Sequence, residues 1–115
     1  MKVLIAGDFC PRDRVAQLFE KKNYGAVLDE VRGITSSADY SIVNFECPVV
    51  TGDAKPIEKQ GPSLKCTPRG VEAVKYAGFD CVTLANNHFL DYGKEGVEET
   101  ICTLNHYGMD FVGGG

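Results

Sequence analysis

The sequence predicts an α/β fold, a mostly parallel sheet flanked by helices. Short apolar runs typical of buried strands alternate with segments that carry apolar residues at helical spacing. Glycine and proline stand between many of these segments, where they favour turns. An alternation of this kind is typical of parallel strands joined by helical crossovers. We therefore expect the order β-α-α-β-loop-α-β-α-β within one domain spanning residues 1–115.

The first half of the chain is expected to form two strands and two helices. The run KVLIAG, residues 2–7, predicts a buried strand. A helix is expected from near Pro11, because proline suits a first helical turn, and a weaker helix over residues 26–34. YSIVNFE, residues 40–46, predicts the second strand. Residues 47–66 combine prolines, glycines and charges without periodicity, which predicts a long loop with room for one short strand.

The second half is expected to add two helices and two strands. Thr67 is a candidate helix cap and Pro68 suits the first helical position. Gly78 can end that helix in the left-handed conformation, and DCVTLA, residues 80–85, predicts the third strand. The remaining expected elements are a helix at residues 94–107 and a strand at residues 109–115.

Composition and charge exclude some classes of protein. The net charge of −4 argues against a domain that binds nucleic acid by neutralising phosphates. No apolar run approaches the length of a membrane span, and the N-terminus lacks the pattern of a secretory signal. The five cysteines form no C-x-x-C pair and are odd in number. Reduced thiols, and therefore a cytoplasmic location, are expected.

Polar side chains follow the apolar run of each of the first three strands. Asp8 follows the first, Glu46 the second, and Asn87 and His88 the third. Because the carboxyl ends of parallel strands meet at one edge of a sheet, we expect these groups to gather there. Carboxylate, amide and imidazole groups suit divalent metals, and a second carboxylate can bridge two of them. An imidazole beside such a centre can stabilise phosphoryl oxygens, and Asp91 could orient the ring.

Each of these residues also has a purely structural interpretation. Asp8 is equally a candidate helix cap, and Glu46 a solvated strand end. The asparagines are common turn residues, and His88 could serve only as a structural hydrogen-bonding group. Asp91 could belong to a simple turn. Under this reading the chain is an α/β domain whose polar edge holds only capping groups.

Three segments resemble a known family: IAGDF, VNFECPVV and AGFDCVTLANNHFLDYGKEGVEETICTLNHYGMDFVGGG. They are similar to CapA-type proteins of poly-γ-glutamate and capsule biosynthesis, in the calcineurin-like metallophosphoesterase superfamily. The resemblance implies a β-sandwich flanked by helices, of which this chain would be the N-terminal portion. It also implies a centre of two divalent ions of the Mn, Fe or Zn class. The resemblance places Asp8, Glu46 and Asn87 as metal ligands, Glu46 bridging, and His88 as the transition-state stabiliser.

The chain departs from the superfamily pattern at several positions. Cys10 stands where a histidine ligand is usual, and Asp91 is displaced from the acid that follows the histidine in many relatives. Further histidine ligands would lie beyond Gly115. We therefore expect an incomplete site, little activity from this chain alone, and an exposed sheet edge or face that a homo-oligomer could cover.

Two functions follow as hypotheses from the resemblance. The first is a metal-dependent phosphoester hydrolase associated with poly-γ-glutamate or capsule synthesis, acting on a phosphorylated or polyanionic substrate. The second is a non-catalytic domain of the same fold that binds a polymer or a protein partner. Cys10 and Glu46, which differ from the usual histidine and aspartate, motivate the second hypothesis.

Overall fold

The computed structural model describes residues 1–59 and 61–113, and its helices and strands follow the predicted order. Gly114 and Gly115, which the sequence predicts to lie in the last strand, fall outside the described residues. The elements are β1 (Val3–Phe9), α1 (Asp13–Glu20), α2 (Gly25–Thr35), β2 (Tyr40–Phe45), α3 (Arg69–Tyr76), β3 (Cys81–Thr83), α4 (Gly93–His106) and β4 (Asp110–Val112).

The four strands form one sheet in the order β1-β2-β3-β4, and every neighbouring pair is parallel. The register pairs Phe9 with Phe45 and Asn44 with Thr83. The predicted α/β class with a parallel sheet is therefore confirmed. Because the strands run in the same direction, the carboxyl ends of β1, β2 and β3 lie side by side.

One face of the sheet carries the hydrophobic core. Along β2, Ser41, Val43 and Phe45 are buried and alternate with half-exposed residues, as the two-residue period of a strand requires. Each fully buried Val, Leu or Phe stabilises the fold by about 1.5–3 kcal/mol relative to an exposed one. The helices contribute these fully or nearly fully buried core side chains: Phe19, Leu28, Val71, Val74 and Leu104.

The prediction that β1 is buried is wrong. β1 has a strand neighbour on one side only among the described residues, and Val3 and Ile5 are 48% and 75% exposed. The register also shifts between Ile5 and Asp8. An edge strand with one open face needs no continuous apolar burial. The apolar run therefore indicated the strand correctly but not its surroundings.

Two element boundaries differ from the sequence-based prediction at the site. β1 continues through Asp8 to Phe9, because Asp8 pairs with Asn44 on β2. Asp8 therefore lies within the strand rather than after it. α1 begins at Asp13 instead of near Pro11, since Arg12 is still extended, with φ −135° and ψ 153°.

The end of α3 is as predicted, and its beginning nearly so. Gly78 adopts φ +90°, the left-handed conformation expected there. A Cβ at this position would lie 2.4 Å from Thr35 Oγ1, so glycine is required by space as well as by conformation. At the other end, the Arg69 N–H donates to Thr67 Oγ1 at 3.3 Å, close to the predicted capping role.

The long loop after β2 divides into a buried and an exposed part. Residues 47–50 are buried, and Val49 and Cys66 form an isolated parallel bridge where a short strand was expected. The Val49 N–H donates to Thr100 Oγ1 on α4 at 2.8 Å. Residues 51–59 are mostly exposed. Within the described ranges, no helix combines the length and apolar content needed to cross a bilayer.

Candidate functional site

Two carboxylates from neighbouring strands lie against each other at the carboxyl edge of the sheet. Glu46 follows β2 directly, and its N–H donates to Phe9 O at 3.0 Å, which extends the ladder past Asp8. A hydrogen bond with Asp8, then partial burial and the Asp8 charge, raise the pKa of Glu46. The pKa of Asp8 is lowered, first by its hydrogen bond with Asn44 and then by the one with Glu46. Two carboxylates so placed favour a shared proton or a shared cation.

The Asn44 side chain on β2 forms hydrogen bonds with residues of both neighbouring strands, β1 and β3. Its Nδ2 donates to Asp8 Oδ1 at 2.7 Å. Its Oδ1 accepts hydrogen bonds from Thr83 Oγ1 at 3.0 Å and from Asn86 Nδ2 at 3.1 Å. Asn44 was not predicted from the sequence as a site residue. The available signal was its position two residues before Glu46, which places it in the alternating strand that ends at the site.

His88 and Asp91 form a hydrogen-bonded pair in the turn after β3. The His88 N–H donates to Asn86 Oδ1 at 3.0 Å, and the Asp91 N–H donates to His88 O at 3.0 Å. This turn brings His88 Nδ1 to 2.7 Å from Asp91 Oδ2. Asp91 is 1% exposed, whereas a carboxylate at an ordinary turn would be solvated. The geometry is that of an oriented imidazole, as the i, i+3 spacing suggested.

The long loop supplies the other partners of Asp91. Lys59 Nζ donates to Asp91 Oδ1, and the Leu64 N–H donates to Asp91 Oδ2 at 2.7 Å. Burial by itself would raise the pKa of Asp91. The hydrogen bonds from Lys59, Leu64 and His88 outweigh that effect and hold the pKa below its ordinary value. Asp91 is therefore a carboxylate acceptor near neutral pH, and His88 Nδ1 is assigned as the donor.

The structure places His88 near the carboxylate pair, whereas Asn87 has no hydrogen bond to it among the described residues. The His88 ring and the Arg12 guanidinium, the latter not predicted from the sequence, both lie near enough to Glu46 to oppose the rise in its pKa. Asn87 is exposed and lines an open depression beside Leu90. No hydrogen bond joins Asn87 to Asp8 or Glu46 in the described part of the chain.

Cys10 follows β1 directly and lies beside the Cys47 thiol. The Cys10 thiol is half-buried against the core, and contact with the Cys47 thiol, followed by burial, raises its pKa strongly. A metal ion would have to displace the thiol proton before Cys10 could act as a ligand. Among residues 1–59 and 61–113, no three His, Cys, Asp or Glu side chains are arranged to hold a metal ion. The donors present fit one hard cation held by two carboxylates, with open positions, rather than a complete centre of two ions.

Comparison with known proteins connects the chain to capsule synthesis. The family model described as "Bacterial capsule synthesis protein PGA_cap" matches residues 2–115. The chain is 32% identical to the capsule biosynthesis protein CapA of Bacillus anthracis and 30% identical to the PGA biosynthesis protein CapA of Bacillus subtilis. These alignments cover 100% and 95% of this chain, but only 28% and 29% of the two relatives.

A more distant relative is a probable polyglutamine synthesis accessory protein of Mycobacterium tuberculosis, 29% identical over 70% of this chain and 21% of the relative. The chain thus spans less than a third of the curated relatives it matches. The resemblance noted in the sequence is confirmed at the level of the family.

Proposed function

Because this chain belongs to the bacterial capsule synthesis protein family PGA_cap, we propose that it supplies one half of a divalent-metal phosphoester site used in poly-γ-glutamate synthesis. The observation that carries the proposal is the contact between Asp8 and Glu46, which come from separate strands and have pKa values displaced in opposite directions. Adjacent carboxylates repel each other when both are ionised, and a divalent cation between them removes that repulsion. Oxygen donors of this kind are typical of Mn²⁺ sites, and Mn²⁺ is therefore the probe used from the expected class of ions.

The residues of the chain divide the work of such a site. Asp8 and Glu46 bind the cation, and Asn44 orients Asp8 through its 2.7 Å hydrogen bond. When bound, a divalent cation supplies Lewis acidity toward a phosphoryl oxygen. His88 holds a proton on Nδ1 toward Asp91, which leaves Nε2 as the ring atom for contact with a phosphoryl oxygen or a leaving group. Asn87 is the proposed third ligand.

A metal-binding measurement tests the proposal without requiring turnover. We expect titration of the protein with Mn²⁺, followed by calorimetry and by electron paramagnetic resonance, to show binding at one strong site. The double variant Asp8→Asn, Glu46→Gln should weaken it at least about tenfold, because it removes both anionic ligands. A matched double variant, Glu30→Gln, Glu98→Gln, removes the same charge from exposed helix positions and should leave the affinity unchanged.

The outcome against the proposal is equal Mn²⁺ affinity in both double variants, since a general charge effect would then explain the binding. Catalysis is tested separately, in the full-length protein, with a generic phosphodiester substrate. Activity that survives His88→Ala would remove the proposed role of the imidazole.

The presence of Cys10 where a histidine ligand is usual favours a second candidate function, a non-catalytic domain that binds an anionic polymer. This candidate predicts that the protein binds poly-γ-glutamate without hydrolysing any phosphoester. The cytoplasmic location, the absence of nucleic-acid binding and a homo-oligomer that covers Val3 and Ile5 stay predictions. Analytical ultracentrifugation tests the last of these.

A further inference from the structure

Lys59 lies beside the His88–Asp91 pair, although it belongs to a loop with no predicted role in the site. Its Nζ donates to Asp91 Oδ1 and lies 3.4 Å from His88 Nδ1. The Lys59 side chain is 22% exposed, whereas Asp91 is 1% exposed. Most surface ion pairs contribute little to stability. This pair differs because one partner is a buried carboxylate that would be costly to leave without donors.

The two polar neighbours of His88 Nδ1 make competing demands on that atom. Nδ1 can carry a proton and donate it to Asp91, or it can lack the proton and accept one hydrogen bond from Lys59. The distances of 2.7 Å to Asp91 and 3.4 Å to Lys59 favour donation to Asp91. One N–H of the Lys59 ammonium donates to the other oxygen of the same carboxylate.

We propose that Lys59 is a positioning residue: by donating to Oδ1 of the buried Asp91 carboxylate, it fixes the orientation in which Oδ2 accepts the Nδ1 proton of His88. The ring is thereby held in one tautomer, with Nε2 left for a ligand. The inference deepens the proposed function, since a fixed tautomer matters for activity only if His88 acts there. The exposed loop then has a role in the site, because Lys59 donates to Asp91 Oδ1 and the Leu64 N–H donates to Asp91 Oδ2.

The tautomer of His88 can be read directly by long-range ¹H–¹⁵N correlation spectroscopy above about pH 8, where histidine is usually neutral. The only other histidine is His106, so the variant His106→Gln assigns the His88 signals. We expect the unmodified protein to show the Nδ1–H tautomer alone. Without the donor on Oδ1 the carboxylate is free to turn away from the ring, so Lys59→Met should give a mixture of tautomers. Lys59→Arg, which keeps a cationic donor, should show the single form.

Two controls separate positioning from a general effect of the loop or of charge. Lys55→Met removes a charge from an exposed lysine of the same loop and should leave the His88 spectrum unchanged. Asp91→Asn by itself should give the mixture of His88 tautomers. The double variant Asp91→Asn, Lys59→Met should have the same His88 spectrum as Asp91→Asn, because Lys59 acts through Asp91. If Lys59→Met does not fold, Lys59→Gln, which keeps a neutral donor, gives the same comparison with a smaller shift.

The inference is overturned if Lys59→Met retains the single tautomer, or if Lys55→Met changes the spectrum equally. A further change of the spectrum when Lys59→Met is added to Asp91→Asn would also overturn it, because Lys59 would then act by another route. The measurement needs neither metal nor turnover. A tautomer shift in a protein that binds no Mn²⁺ would support the role of Lys59 while contradicting the proposed function.

Discussion

Replacing Thr100 with valine tests how the segment after Glu46 is held in place. Thr100 Oγ1 accepts a hydrogen bond from the Val49 N–H at 2.8 Å and donates one to Gly96 O at 2.6 Å. Thr100 and Val49 are both 0% exposed. Valine has almost the same shape as threonine but accepts no hydrogen bond, so Thr100→Val leaves a buried N–H without a partner.

The cost of this change follows from the burial of the donor. An unsatisfied buried N–H destabilises a protein by about 1–3 kcal/mol. For a domain of this size, we expect the melting temperature to fall by about 4 °C for each kcal/mol. Thermal and urea unfolding followed by circular dichroism measure the difference. Because Val49 lies three residues after Glu46, we also expect Mn²⁺ to bind more weakly in Thr100→Val.

The same helix provides the matched control. Thr103 Oγ1 donates only to Glu99 O, one turn earlier in α4, at 2.8 Å. Thr103→Val therefore leaves no buried N–H without an acceptor. It should change the free energy of unfolding by less than about 0.5 kcal/mol. Equal stability of Thr100→Val and the unmodified protein would refute the reasoning, as would equal losses in the two variants.

Three further variants test positions where the structure sets the outcome. Gly78→Ala should destabilise by at least about 1 kcal/mol, because φ is +90° and the new Cβ would meet Thr35 Oγ1 at 2.4 Å. Gly33→Ala, in open space within α2, should instead stabilise by about 0.5–1 kcal/mol in the same urea titration. Glu72 accepts hydrogen bonds from two tyrosine hydroxyls, first that of Tyr107, and these lower its pKa below the ordinary 4.5. The stability it adds is therefore present above pH 4.5 and lost as pH falls through the lowered pKa. Unfolding of Glu72→Gln at several pH values should show a deficit at pH 7 that shrinks in acid, and a constant deficit would contradict this assignment.

Much of the site was accessible from the sequence because it depends on strand ends. Asp8, Glu46 and His88 each follow an apolar run closely, and parallel strands bring such positions to one edge. The spacing of His88 and Asp91 was also sufficient to suggest their contact, because a turn places residues i and i+3 together.

The missed residues have no such local signal. Asn44 lies inside a strand, where an asparagine is compatible with any half-exposed position. Lys59 lies in a loop without periodicity, so its position beside Asp91 depends on how that loop folds back over the turn. The open environment of β1 also escaped prediction, since an apolar run looks the same at an edge as in the centre of a sheet.

The sequence by itself determined the order of the elements, the glycine that ends α3 and the chemistry available at the sheet edge. These depend on short-range periodicity and on the conformational preferences of single residues. Tertiary structure alone decided that Asp91 is buried and that Lys59 forms an ion pair with it. It also decided that Asp8 and Glu46 are neighbours, with the pKa of Asp8 lowered and that of Glu46 raised. Burial and electrostatic coupling depend on which distant segments come within a few ångströms of each other, and that distance is set only when the whole chain packs.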